Sequence, residues 1–269
     1  YIIRNFLIKN APALDSIEIG SFVLESFVYE NIPNISYFKL RGDHPLFVFD
    51  GYEHLKEVFL KPTGVHLLNL PSLKIITFDE STFTDFKLSN LPNLEQFKHL
   101  GNFSSSTLPN SHCDFKFEGF PKLKSIIIEL AGGTSQFAIN HLILNNLPAL
   151  DTFFADNSYY KNVDINGLPN LKYLTLWCNA NNVNIQNCSQ LKKLTAVIYG
   201  VSGQSNSIRI NDNPKLENLV FNTRRFIETT ISNNSSLKSI KFSNYECRKL
   251  KLINLPQLSR ITENYEPHS

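Results

Sequence analysis

Glu129 and Asp156 are the two residues whose types and spacing come nearest to chemistry. They occupy the same position in successive copies of an internal repeat, on the outward side of a strand. Neighbouring strands lie about 5 Å apart, so the two carboxylates can approach to roughly that distance. Such a separation suits the acid and nucleophile of a retaining glycosidase. It suits a bound cation equally well, and two solvated acids leaning apart. The sequence holds no P-loop, no Gly-x-Ser-x-Gly and no His-Glu-x-x-His that would decide for a reaction. His112-Cys113 with His99 is the other group of ligand types. His99 falls in an inward strand slot, where an interior histidine is the simpler reading, and no Cys-x-x-Cys pair supports zinc. The expectation is a chain without catalytic residues, cofactor or metal.

The aromatic side chains point to binding instead. Phe154, Tyr173 and Trp177 fall at outward positions of adjacent repeats, Ile127 lies one repeat earlier, and Tyr159 and Tyr160 are expected on the loop that follows. Clustered exposed aromatics with a polar surround resemble the energetic centre of an interface. The competing reading is that the rings pack under loops or staple neighbouring strands. The candidate binding set is therefore Phe154, Tyr173, Trp177, Ile127, Tyr159, Tyr160, Glu129 and Asp156.

The repeat that must position these residues runs through the whole chain. Its phrase is (Asn/Gly)-Leu-Pro-x-Leu-x-x-Φ-x-Φ, with Φ apolar, as in NLPSLKIITF at 69–78 and GLPNLKYLTL at 167–176. The anchor residues are Leu14, Ile35, Leu55, Leu73, Leu94, Leu123, Leu150, Leu171, Leu191, Leu216, Leu237 and Leu258. Apolar residues three and five after each anchor predict a strand with one buried face. Copies of that strand should pair into a long parallel sheet. A second alternation eight and six before each anchor, such as Phe6 and Ile8 or Val163 and Ile165, predicts a strand on the opposite wall. Four before each anchor stands Asn, Asp or Gly, the types that tolerate a left-handed backbone. That row should form the corner ending the second strand, with asparagines able to bond coil to coil. Proline two before the anchor suits a turn leading into a strand.

The Leu-x-x-Φ-x-Φ core resembles a leucine-rich repeat, from about Phe6 to Ile261. Two features depart from that pattern. Asparagine eight after the anchor is present only as Asn102 and Asn179, and the convex side reads as strand rather than helix. The chain is therefore similar to an irregular, β-rich variant of the family, of the kind seen in bacterial and protist BspA-like proteins. The resemblance implies a curved solenoid of about twelve coils, each 18–29 residues long, with a parallel sheet on the concave face and a short strand on the convex face. It also implies recognition of a macromolecule by the concave face, and no catalytic residues.

Composition narrows the partners. Net charge is +2 with acids and bases interspersed, so no basic stripe tracks phosphates and nucleic acid is not expected. No apolar run reaches the ~20 residues that span a bilayer. A protein partner leads, with carbohydrate as the alternative, aromatics stacking on sugars and Glu129 and Asp156 holding hydroxyls. A spacer role is the third reading, in which outward apolar residues of the convex row (Leu7, Val28, Val48, Ile143) are covered by neighbours. The even repeat predicts a single body over 1–269, and its raw ends suggest a piece of a longer chain. Cys188 occupies a slot filled elsewhere by leucine and should be a buried thiol, a bridge to Cys178 being the alternative. Three longer stretches, Leu100 to Asp114, Glu129 to Ala138 and Tyr199 to Ser207, should project as loops from one edge of the solenoid, two of them in successive coils beside the aromatics. Glycan acceptor sequences start at Asn34, Asn102, Asn187, Asn233 and Asn234.

Overall fold

The computed structural model describes residues 2–20, 23–41, 46–79, 85–102, 113–131, 139–200, 206–243 and 247–264. It is a β-solenoid of about ten turns with parallel sheets, and it contains no helix among the described residues. The predicted loops fall largely at 103–112, 132–138 and 201–205, outside the described residues. So does His112.

Two walls alternate along the chain. The first is one continuous parallel sheet that begins at Ser16–Ile19 and Tyr37–Leu40, continues through Gln96–Asn102 and Ser125–Ala131, and ends at Arg260–Asn264. The second wall is divided. Ile2–Lys9 pairs with Val23–Glu30. Phe47–Asp50, Gly64–Leu68 and Asp85–Ser89 form a separate three-stranded sheet. From Asp114–Glu118 to Cys247–Ile253 the wall is continuous again. In two coils the walls merge, because Thr152–Asn166 and Tyr173–Gln186 each run as one strand around the corner.

The corner row behaves as its residue types require. Asn10, Asn31, Gly51, Asn69, Asn90, Gly119, Asn146, Gly167, Asn187, Asp212, Asn233 and Asn254 all have φ between +50° and +73°. Only glycine, asparagine and aspartate adopt that region at low cost. Corner asparagine amides reach the coil before them, as Asn31 to Asn10, Asn90 to Asn69 and Asn254 to Asn233, all at 2.9 Å. Where glycine takes the corner, the residue before it becomes the acceptor. Asn69 donates to Asp50 at 2.8 Å, Asn145 to Glu118 at 2.8 Å and Asn187 to Asn166 at 2.8 Å. The next residues make a four-residue turn in which the anchor N–H returns to the carbonyl three back, as Leu94 to Leu91 at 3.2 Å and Leu150 to Leu147 at 3.2 Å. Proline at the second position of such a turn has its fixed φ already in place.

Between the walls lies one core. Phe38, Phe49, Phe78, Phe97, Phe115 and Phe117 are fully buried, with edge contacts such as Phe97–Phe117 at 4.7 Å. His99 is buried against Phe115, as its slot predicts. All four cysteines are free thiols: Cys113, Cys178 and Cys188 are buried, and Cys247 is half-buried. Cys178 lies within the strand Tyr173–Gln186. Burial pushes Cys113 and Cys178 up to about 12 and Cys188 to about 11.

One core feature escaped the sequence pattern. Asn213 and Asn234 are fully buried in the slot three before the anchor, which holds Leu70, Leu147 and Leu168 in other coils. Asn213 donates to the Asn211 and Ile185 carbonyls at 2.8 and 3.2 Å, and accepts the Cys188 N–H at 3.0 Å. Asn234 repeats the arrangement, donating to Ser232 and Ile210 at 2.9 Å and accepting the Asn213 N–H at 3.0 Å. Cys188 heads the ladder, its thiol facing the Gln186 carbonyl at 3.5 Å and receiving the Leu168 N–H. Asn234 therefore cannot carry a glycan in the folded chain, and Asn187 and Asn233 have their amides engaged in the corner ladder.

Candidate recognition site

The first sheet sets its outward rows by register. Ile127 lies opposite Phe154, Phe154 opposite Thr175, and Thr175 opposite Thr195. Two residues further on, Glu129 lies opposite Asp156, so the two carboxylates are placed on adjacent strands as their spacing implied. Trp177 lies opposite Val197, and Tyr173 opposite Lys193.

Burial alternates from Tyr173 to Ala180, which turns Leu174, Leu176 and Cys178 inward and Tyr173, Thr175 and Trp177 outward. Tyr173 is 63% exposed and Trp177 48% exposed. Four residues of extended chain set them about 13 Å apart. Thr175 sits between them, and Phe154, half-buried, stands beside Thr175 on the neighbouring strand. The three aromatics thus surround one threonine instead of forming a stack. Ile127 is half-buried, Glu129 is exposed and Asp156 is half-buried.

The register slips next to Trp177. Ala155 pairs with Leu176 and Ser158 with Cys178, so the strand carries an irregularity between Ala155 and Ser158 at the level of Trp177. A bulge of this kind re-aims the side chains around it and raises local twist.

Tyr160 corrects an expectation. It does not lie on a loop: it is inside the strand Thr152–Asn166, pairs with Ala180, and is fully buried in the core. No insertion separates the two walls in this coil, so the strand alternation carries through the corner and turns this ring inward. Tyr159 lies in the same strand, opposite Asn179, and not on a loop.

Sequence reasoning also missed Phe59, an outward residue near the other end of the same sheet. It is half-buried because Lys39 and Arg41 lie over its ring at 5.9 and 5.4 Å. Lys39 also pairs with Glu18, leaving that end of the face charged. A lysine on the preceding strand and an arginine just past its end were the available signal. At the strand edge Lys124 meets Glu95 at 3.1 Å and Lys238 meets Glu217 at 3.3 Å, cross-coil pairs on a solvated rim.

Among the described residues no group of three or more His, Cys, Asp and Glu side chains could hold a metal ion. No helix of the described residues is long and apolar enough to cross a membrane. No protein-family model, no curated protein and no solved structure matches the chain.

Proposed function

We propose that this chain is a non-enzymatic recognition module that binds a protein through the outward face of its first sheet. The observation that carries the reading is the pair Tyr173 and Trp177, 63% and 48% exposed on one face of one strand. Large aromatics left in water beside Thr175 and Lys193 lose unfavourable hydration when a partner covers them, and rings with few torsions lose little entropy on binding. A continuous parallel sheet beneath them holds the surface preformed. Phe154 and Ile127 extend the apolar area, and Glu129 and Asp156 supply a polar rim. The solenoid itself is read as a β-rich leucine-rich repeat of twelve coils with this sheet on its concave side, an architecture suited to a protein ligand.

The experiment is affinity capture with the wild-type chain beside a folded Phe154/Tyr173/Trp177 triple-alanine variant, followed by titration of the captured partner. Trp177→Ala should weaken that partner by about 2 kcal/mol, roughly thirtyfold in Kd. A partner whose affinity is unchanged by the triple variant would move recognition away from this face.

A further inference from the structure

The rim where each coil turns into the first sheet carries a lysine or an acid directly after most anchors, and many of these charges answer one another. Lys124 meets Glu95, Lys238 meets Glu217, and the Lys215 ammonium donates to the Gln190 side chain at 2.8 Å. The coils that carry the exposed aromatics differ. Lys172 stands directly before Tyr173, and Lys192 and Lys193 hold the same two positions on the next coil, with Lys193 opposite Tyr173. Backbone bonds fix this arrangement: the Lys192 and Lys193 N–H groups both donate to the Lys172 carbonyl, at 2.8 and 3.3 Å. All three lysine side chains are exposed, and among the described residues none of them has an ion pair or a side-chain hydrogen bond.

Neighbouring strands lie about 4.8 Å apart, so these positive charges share one small area. Acids on the adjoining coils do not neutralise it. Glu217, on the following coil, is taken by Lys238, and Asp151, on the preceding coil, accepts the Thr152 hydroxyl at 2.9 Å. An anion set among the lysines gains attraction and relieves their mutual repulsion.

The surroundings select the kind of anion. Asp151 and Glu217 bound the cationic area on either side, and Glu129 and Asp156 lie further along the strands. A long polyanion would run onto those acids, whereas a short run of carboxylates would not. Along the strand the face then turns apolar, with Thr175 between Phe154 and Thr195, and Trp177 opposite Val197. Side chains on one face of an extended ligand repeat at about 6.6 Å, so its positions i, i+2 and i+4 match Tyr173, Thr175 and Trp177.

We infer that the ligand of this face is an acidic protein segment with an apolar side chain four residues from its carboxylates. This rests on the recognition reading above and names the partner's chemistry. The carboxylates sit among Lys172, Lys192 and Lys193 beside the Tyr173 ring, and the apolar side chain covers Trp177.

The probe is a fluorophore-labelled, amidated peptide, Gly-Glu-Glu-Ser-Val-Ser-Phe-Gly, titrated against the full chain by anisotropy at low salt. One control replaces both glutamates with glutamine. The other, Gly-Glu-Phe-Glu-Ser-Val-Ser-Gly, keeps the composition and places the ring next to the acids. The probe should bind roughly tenfold more tightly than either control, and added salt should weaken it. Lys192→Glu with Lys193→Glu should lower probe affinity roughly tenfold, the milder Lys192→Gln with Lys193→Gln by less, and Trp177→Ala should also weaken it. Far-UV circular dichroism and the melting transition check that each variant folds. Absence of saturable probe binding, equal binding of probe and controls, or a thymidine oligonucleotide that binds as tightly as the probe would each overturn the inference. The captured partner separates this inference from the reading beneath it. A partner weakened by the triple-alanine variant and untouched by the lysine variants would leave the recognition face standing and remove the acidic ligand. A partner indifferent to the triple-alanine variant would remove the face itself.

Discussion

Replacing Asn213 with leucine tests whether the buried ladder contributes to stability or merely replaces apolar packing. Leucine fits the slot, since Leu147 and Leu168 occupy it in preceding coils. The substitution removes three side-chain hydrogen bonds and strips partners from the Cys188 N–H and from the Ile185 and Asn211 carbonyls. At about 1–3 kcal/mol for each orphaned buried group the loss is about 3–9 kcal/mol. Carbonyls have a second lone pair and fall toward the low end of that range. A buried leucine returns about 1.5–3 kcal/mol. The net expectation is destabilisation of about 3 kcal/mol. With a urea m-value of about 3 kcal/mol/M for a chain of this size, the midpoint should fall by about 1 M. Emission of the single tryptophan, Trp177, in the coil that leads to Cys188, reports the transition beside far-UV circular dichroism. An unchanged or raised midpoint with the same m-value would refute the argument, because the leucine would then be the better core residue.

Three further outcomes follow from packing and charge. A thiol reagent at neutral pH should label Cys247 alone in the folded chain and all four cysteines after denaturation, since burial holds the other three thiols protonated and covered. Lys124 holds the Glu95 carboxyl below its ordinary range, Lys116 and Asn145 hold Glu118 there, and Lys251 holds Glu228 there. Lowered folded-state values contribute stability above the unfolded carboxylate range that is lost as pH falls through the folded values. Acid titration should therefore lower the melting temperature, and Glu228→Gln should flatten that dependence. Gly119 has φ +73° with open space where a Cβ would go, so Gly119→Asn should be nearly neutral, whereas Gly119→Val should cost about 1–2 kcal/mol in chemical denaturation.

Periodic features were legible in the sequence because the same physical demand recurs in every coil. The left-handed corner appears as Asn, Asp or Gly at every copy, and the inward slots of the first strand appear as alternating apolar residues. Trp177 and Tyr173 could be placed outward by counting from Leu171, since nothing breaks the alternation between them. What the pattern did not yield depends on one coil meeting another. Tyr160 turns inward because its strand runs on through the corner, which spacing from the anchor does not reveal. Asn213 and Asn234 read as exceptions to an apolar slot until each is seen to satisfy its neighbour. Phe59 is covered by cations from the preceding coil.

The two walls differ where Asp85–Ser89 and Asp114–Glu118, unlike the first-wall strands of the same coils, do not pair with each other. Both are built from the same repeat, so backbone geometry alone would pair both throughout. On the first wall, outward neighbours across the Phe154 row are Ile127, Thr175 and Thr195, apolar or hydroxyl side chains that tolerate close approach. On the second wall the corresponding neighbours at the division are Asp85 against Asp114 and Lys87 against Lys116. The core beneath stays closed, because Phe86 and Phe115 lose nothing by remaining in contact while the outer edges part. A repeat can thus keep one wall continuous while the other is divided, here between Asp85–Ser89 and Asp114–Glu118 and again between Val23–Glu30 and Phe47–Asp50.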